Sequence, residues 1–418
     1  MLTTLVAAPF DNAWHEIYGI DVTIWSPSHL LAIFGIAAAT LGLAALMAPA
    51  VVGRDSIVFP ILLAAFLTAL LVTTGEFEFN APQYRIAYHP IILAAASGLV
   101  FTTAAGRRWR ATTVSLWFEA VRVASVLYLL AMGRSLTFVP VVLPAALVAD
   151  LLFRAGRRRG VLMGASVAAV AVITNWIVLE LLPGLRWPAD DLLLGAPLAV
   201  VAGAITGVVG ARLGGRLDGV RSTKLFSPRV RRTAVAASLP MFLLLAASPA
   251  LAHEVGGRRG AGMITWSPRV PEAGEAIDVE ISGLSLDSGA LPENLRVEAW
   301  RAEHRITVPV EYDSGAGTAQ LKLPEEGLWF LFVRVEANEE SLLWGDHFTV
   351  AENGGGEFGV YQQRFTLGVD TLSTKEPPAW VDVIAYGVSL LILGLLIVGV
   401  VRALGRLPVT DSVSPSTA

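Results

Sequence analysis

The chain has no cysteine. That absence excludes disulfides, zinc–thiolate centres, iron–sulfur clusters and thiolate-ligated blue-copper sites, so any metal must be held by histidine, carboxylate or amide groups. Charge is also scarce: 16% of the 418 residues are Asp, Glu, Lys or Arg, against 54% hydrophobic. A soluble globular domain carries about a quarter charged residues, so most of this chain belongs in lipid. No net basic excess is present either. The formal charge is -4 and the segment 253–378 is acidic, which argues against a nucleic-acid partner.

What the chain does have is a series of apolar stretches of about 20 residues, the length needed to cross roughly 30 Å of hydrocarbon as a helix. They fall at 28–52, 56–75, 90–106, 111–133, 135–153, 161–183, 192–213, 233–252 and 380–403, which predicts an all-α membrane bundle of about nine transmembrane helices. Arg54, the Arg107, Arg108 and Arg110 cluster, the arginines at 154–159 and the run from Arg212 to Arg232 occupy alternate loops. By the positive-inside rule those loops are cytoplasmic. The expectation is a bacterial cytoplasmic (inner) membrane protein embedded in the lipid bilayer, with its N-terminus outside and its C-terminus in the cytoplasm.

Residues 253–378 change character. Alternating runs at 276–281, 295–300, 306–312 and 328–335 are separated by Gly, Pro, Asp and Asn, the pattern of a small antiparallel β-sandwich. The topology puts this domain outside. The expected organisation is a polytopic membrane domain at 1–232, a further helix at 233–252, the exported sandwich at 253–378, a last helix at 379–406 and a disordered Ser/Thr/Pro-rich tail at 407–418. The helix at 233–252 reads like a signal peptide: Arg229, Arg231 and Arg232 precede an apolar run that ends in Ser248-Pro249-Ala250-Leu251-Ala252. Cleavage after Ala252 would make His253 a new N-terminus, whose α-amino nitrogen and imidazole form a chelate suited to copper. An uncleaved helix with small residues at its outer end is the alternative.

The same topology gathers polar residues at the outer ends of the first spans. Asp11 and His15 are spaced i, i+4, on one face of a short helix. His29 follows Ser26-Pro27-Ser28, a helix-start signature, and is predicted in the first turn of span one. Glu76 and Glu78 leave the outer end of span two, and His89 precedes Pro90 at the start of span three. Imidazole and carboxylate ligands suit Cu, Zn, Fe or Mn, with Trp14, Trp25, Phe77, Phe79 and Tyr88 placed to keep water away. Deeper in lipid, Glu119 and Arg122 are spaced as an ion pair within span four, and Asn175 and Glu180 lie in span six. Asp150, beside cytoplasmic arginines, reads as one half of a snorkelling pair.

The segment Asp11-Asn12-Ala13-Trp14-His15, followed by Ser26-Pro27-Ser28-His29, resembles the metal-binding segment of the C subunit of particulate methane and ammonia monooxygenases. In that family an Asp, a His four residues on and a second His in a Pro-Ser-His triplet bind metal; here the gap between the histidines is one residue longer. Gly75-Glu76 through His89-Pro90 is loosely similar to the second ligand-bearing region of that subunit, without its Asn and first His. The outer domain resembles the cupredoxin-like domain of the B subunit, on His253 at the signal-peptide junction, Met263-Ile264-Thr265-Trp266, and Glu326-Gly327-Leu328-Trp329 entering a strand that ends near Phe348-Thr349-Val350. Where the family has a His-x-His copper pair this chain has Phe330-Leu331-Phe332, so that copper site is expected to be lost, with His304 and His347 expected at the surface. The resemblance implies copper, with zinc as a substitute, held by Asp11, His15, His29, His89, Glu76, Glu78 and His253. It implies a cupredoxin-like exported sandwich, and further membrane subunits of A type or a homo-oligomer as partners. Two functions follow from it: a component of an O₂-dependent oxidising complex, or a non-enzymatic copper-binding or delivery protein. A transporter with Glu119, Arg122, Asn175 and Glu180 along its path is a third reading.

Overall fold

The computed structural model describes residues 23–47, 57–79, 82–106, 109–131, 138–156, 160–182, 185–219, 259–302, 304–313, 315–338, 340–351 and 356–370, together with isolated positions near both ends that include Asp11 and Trp14. The expected span at 233–252, nearly all of that at 380–403, the tail, His15 and His253 lie outside the described residues.

Helices α1 (Pro27–Leu46), α2 (Val58–Leu71, continued by the 3-10 turn Val72–Thr74 into α3, Gly75–Glu78), α4 (Tyr88–Ala104), α5 (Arg110–Ala131), α6 (Leu143–Arg154), α7 (Gly160–Glu180) and α8 (Ala189–Gly219) form the bundle. Five of the stretches, Pro27–Ala45, Val58–Glu78, Arg110–Ala131, Gly160–Glu180 and Ala189–Leu217, are long and apolar enough to cross a membrane. The packing is that of a protein in lipid. Leu127 (60% exposed), Leu193 (79%) and Ile205 (62%) point outward, while Asp150 and Asn175 are wholly buried. An exposed apolar surface of this extent is stable only against hydrocarbon. The chain is a membrane-embedded protein.

The span expected at 90–106 forms as Tyr88–Ala104, with 17 residues. The stretch expected at 135–153 is shorter than the sequence implies: it becomes α6, whose 12 residues reach only about 18 Å. Pro140 and Pro144 explain this, because proline lacks the N–H that a continuing helix requires; residues 138–142 run into the bundle without helical structure. Close approach of α8 to α4 and α7 depends on glycine. A Cβ on Gly207 would lie 2.5 Å from both the Gly160 carbonyl oxygen and the Gly164 Cα, a separation no side chain tolerates.

The second unit is built from β1 (Gly260–Ser267), β2 (Ala276–Leu286), β3 (Asn294–Arg301), β4 (His304–Pro309), β5 (Glu311–Asp313), β6 (Ala316–Lys322), β7 (Gly327–Ala337), β8 (Glu340–Val350) and β9 (Tyr361–Val369). All neighbours pair antiparallel, in the order β4-β3-β7-β8-β9-β1-β2-β6-β5. Strand β9 joins the two halves: it pairs with β1 along its length and with β8 only at Leu342↔Val369 and Leu343↔Gly368. At the other end β4 lies close to β6, so the sheet nearly closes on itself. The core is the inward alternation Ile277, Val279 and Ile281 on β2 facing Trp329, Leu331, Val333 and Val335 on β7. The single strand expected from Glu326 to Val350 is a hairpin instead: Gly327 pairs with Val350 and Ala337 with Glu340, and Asn338 in the turn takes φ 51°. Asparagine adopts that left-handed conformation more readily than other non-glycine residues.

Candidate metal centre

The N-terminus of α1 forms as its sequence predicts. Ser26 is the N-cap, its hydroxyl accepting from the His29 backbone N–H, and Pro27 occupies the first turn. This puts His29 at the mouth of the bundle beside Asp11. The Ser28 hydroxyl donates to Asp11 Oδ1 at 2.6 Å, and His29 Nε2 lies 3.4 Å from the same oxygen. The other ring nitrogen, Nδ1, is 3.0 Å from the Thr23 carbonyl oxygen. A carbonyl only accepts, so Nδ1 carries the proton and donates. In the neutral ring Nε2 is then a lone pair turned toward a carboxylate, an arrangement that gains energy only when a proton or a metal cation lies between them. Anchoring of the distal ring nitrogen on a backbone carbonyl is also how metal-bound histidines are held.

Glu76 sits next to this pair but is engaged elsewhere. Its Oε1 accepts from the Thr23 hydroxyl at 2.7 Å and the Ile24 N–H at 2.5 Å, and its Oε2 accepts from the Gln83 N–H at 2.8 Å. It therefore fastens the turn that leads into α1, and with it the carbonyl that orients His29. Glu78 is 1% exposed; its Oε1 accepts from the Thr74 hydroxyl at 2.8 Å and its Oε2 pairs with Arg122. His89 does begin α4 as expected, yet its ring is wholly buried among Phe77 (ring centroids 4.1 Å), Phe138 and Trp187. The Trp187 indole N–H donates to His89 Nδ1 at 3.2 Å. Among the described residues no three His, Asp or Glu side chains gather closely enough to hold a metal ion.

The remaining polar residues of the membrane domain depart from their sequence readings for one shared reason. Glu119 does not lock to Arg122. Its Oε1 accepts the backbone N–H groups of Val142 at 2.9 Å and Leu143 at 2.8 Å, capping α6, while Arg122 takes Glu78. Asn175 accepts from the Val141 N–H and donates to the Val141 and Ala171 carbonyls. Asp150 is no snorkelling residue: its two oxygens accept from the N–H groups of Gly106, Ala111 and Thr112 and from the Thr112 hydroxyl, capping α5. Where a helix starts within the packed bundle its first N–H groups have no intrahelical partner, and these side chains satisfy them. Neither Glu119 nor Asn175 has the bearing of a transport path.

In the β-domain Phe330 pairs in register with His347, and Phe332 with Gly345. Phe332 packs on Trp300 at 4.7 Å between ring centroids. The side chain of His347 is 57% exposed beside Asp346, and His304 Nε2 is 3.1 Å from Glu325. The β3–β4 turn docks on the bundle: the Ala302 N–H donates to the Pro82 carbonyl. Burial there pushes the Arg305 guanidinium down from its ordinary range, partly offset by the charges of Glu76 and Glu298. Comparison with protein-family models and with curated proteins finds no match to this chain.

Proposed function

We propose that this chain binds copper at the outer rim of its membrane bundle through Asp11, His15 and His29, and works as one component of an O₂-dependent oxidising complex related to particulate methane and ammonia monooxygenases. The observation that carries this reading is the Asp11–His29 pair: a carboxylate oxygen and an imidazole nitrogen 3.4 Å apart, with the opposite ring nitrogen tied to a backbone carbonyl. In the sequence His15 follows Asp11 at i, i+4, the spacing of two residues that share one face of a helix. Copper is the first choice because imidazole with one carboxylate and no thiolate suits Cu(II), and zinc is the natural substitute. The finer architecture belongs to the same reading: about nine spans, a cupredoxin-like exported domain, N-terminus outside and C-terminus inside the cytoplasmic membrane, and A-type subunits or a second copy as partners.

A second reading, a copper-binding or delivery protein without turnover, is favoured by a specific observation. Phe330 and Phe332 stand where a copper-binding pair would be, and Glu76, Glu78 and His89 are committed to hydrogen bonds and aromatic packing. Elemental analysis of the purified full chain tests the shared claim. Copper is expected in the wild type, with loss in His29→Ala and in Asp11→Asn; copper retained by a His15→Ala and His29→Ala double variant refutes it. O₂-dependent oxidation of a small hydrocarbon or ammonia by the native complex then separates the two readings.

A further inference from the structure

A cavity of about 990 Å³ opens where the ends of α7 and α8 meet the β-domain. Its volume is at the upper end of the range of about 300–1,000 Å³ typical of ligand sites. The lower wall is apolar, formed by Trp176, Leu192, Leu193, Ala196 and Pro197. Trp176 and Leu193 are 42% and 79% exposed on two helices long enough to span a bilayer, so this wall is continuous with the lipid-facing surface. Tryptophan at such a position marks the depth of the headgroups. Proline at 197 inside α8 has no N–H to give to the Leu193 carbonyl, which leaves an acceptor on the apolar wall.

The upper wall is charged with both signs: Arg186 and Arg301 against Glu180, Glu325 and Glu326. Arg301 is held rigidly, donating to the Leu328 carbonyl at 2.9 Å and lying 3.8 Å from Glu325. Glu325 also faces His304 Nε2 at 3.1 Å, and Glu180 accepts from the Trp176 indole N–H at 3.2 Å. Charges of both signs thus interleave along the rim, which a ligand carrying both charges within a few ångströms complements better than an anion or a cation alone. Guanidinium forks match phosphate in particular.

From this we propose that the cavity is a binding site for a zwitterionic phospholipid. Its phosphate lies toward Arg186 and Arg301, its ammonium toward the three glutamates, and its acyl chains along the apolar wall into the bilayer. A free phosphate or soluble zwitterion would leave that wall uncovered, so a lipid is the occupant. The site is independent of the metal reading and stands or falls separately from it.

The test is native mass spectrometry of the full chain released from nanodiscs of mixed phosphatidylethanolamine and phosphatidylglycerol. Phosphatidylethanolamine should be retained over phosphatidylglycerol by about tenfold, the value of one charge-assisted hydrogen bond. Arg186 and Glu180 are both exposed, so the Arg186→Gln and Glu180→Gln double variant should fold, and it should lose the preference. The proposal is overturned if phosphatidylglycerol is retained equally, if no lipid is retained, or if the double variant keeps the wild-type preference. It is also overturned if glycerophosphoethanolamine, a headgroup without chains, raises the melting temperature as much as the intact lipid does.

Discussion

Glu76→Gln distinguishes a metal ligand from a clamp. The carboxylate accepts hydrogen bonds from Thr23 Oγ1 at 2.7 Å, Ile24 N at 2.5 Å and Gln83 N at 2.8 Å. The amide oxygen of glutamine can keep the first two as neutral bonds, each weaker by about 1 kcal/mol than its charged counterpart. Its NH₂ group then faces the Gln83 N–H, donor against donor. That strands a buried amide at a cost of about 1–3 kcal/mol. The sum is a destabilisation of about 3–5 kcal/mol, shared between the approach to α1 and the loop at 82–85. Thermal unfolding of the metal-free protein in detergent, followed by tryptophan fluorescence, should show a melting temperature lowered by many degrees. Copper should bind more weakly in the same variant, because Thr23 carries the carbonyl that orients His29. Excess copper should then recover part of the stability by mass action. If metal-free Glu76→Gln melts with the wild type, the clamp is refuted; copper lost at unchanged metal-free stability would make Glu76 a ligand after all.

Glu119→Ala should strand the N–H groups of Val142 and Leu143 inside the bundle and cost about 2–6 kcal/mol, while Glu119→Gln, which keeps an acceptor oxygen, should cost about 1–2; thermal melting of both variants in detergent checks the ordering. In the β-domain the hydrogen bond from His347 is the main cause that holds the Asp346 carboxyl below its ordinary 3.8. A depressed carboxyl contributes stability that is fully present above the unfolded value and is lost as pH falls through the folded one. Asp346→Asn should therefore lower stability at neutral pH, leave it nearly unchanged at pH 2.5, and so flatten the acid limb of the stability curve below about pH 4, as read from melting temperatures between pH 2.5 and 7.

The antiparallel β-domain was legible because its period is local: residues 276–281 and 328–335 both become core strands. The apolar lengths likewise marked the five long spans. The signal for the hairpin of β7 and β8 lies in the polar stretch Glu336-Ala337-Asn338-Glu339-Glu340-Ser341 that interrupts the run, with Asn338, tolerant of positive φ, in the turn. Helix α6 was overestimated because Pro140 and Pro144 sit in a stretch whose hydrophobicity alone would cross a bilayer. At the candidate centre the Ser-Pro-Ser-His start was readable, since capping is decided within four residues. The engagement of Glu76 with Thr23 and Gln83 was not.

The reason for that last failure reaches beyond one residue. A carboxylate in an apolar segment is expensive, and the usual inference assigns it an ion, a substrate or a charged neighbour at i+3 or i+4. Here Glu119 and Asp150 spend their charge on backbone N–H groups 23 to 44 positions away, and Glu76 reaches 52 and 53 positions back toward α1. Each of those N–H groups lies where a helix starts or a connection enters the bundle, and no periodicity in the sequence links donor to acceptor. The pair formed by Asp11 and His29 differs in kind. Asp11 Oδ1 accepts from a hydroxyl, not from a helix end, and a ring nitrogen oriented by the Thr23 carbonyl faces the same oxygen. Capping accounts for the other carboxylates without any ligand; a ring nitrogen facing a carboxylate oxygen calls instead for a cation between them, a proton or a metal ion, and the copper measurement decides which.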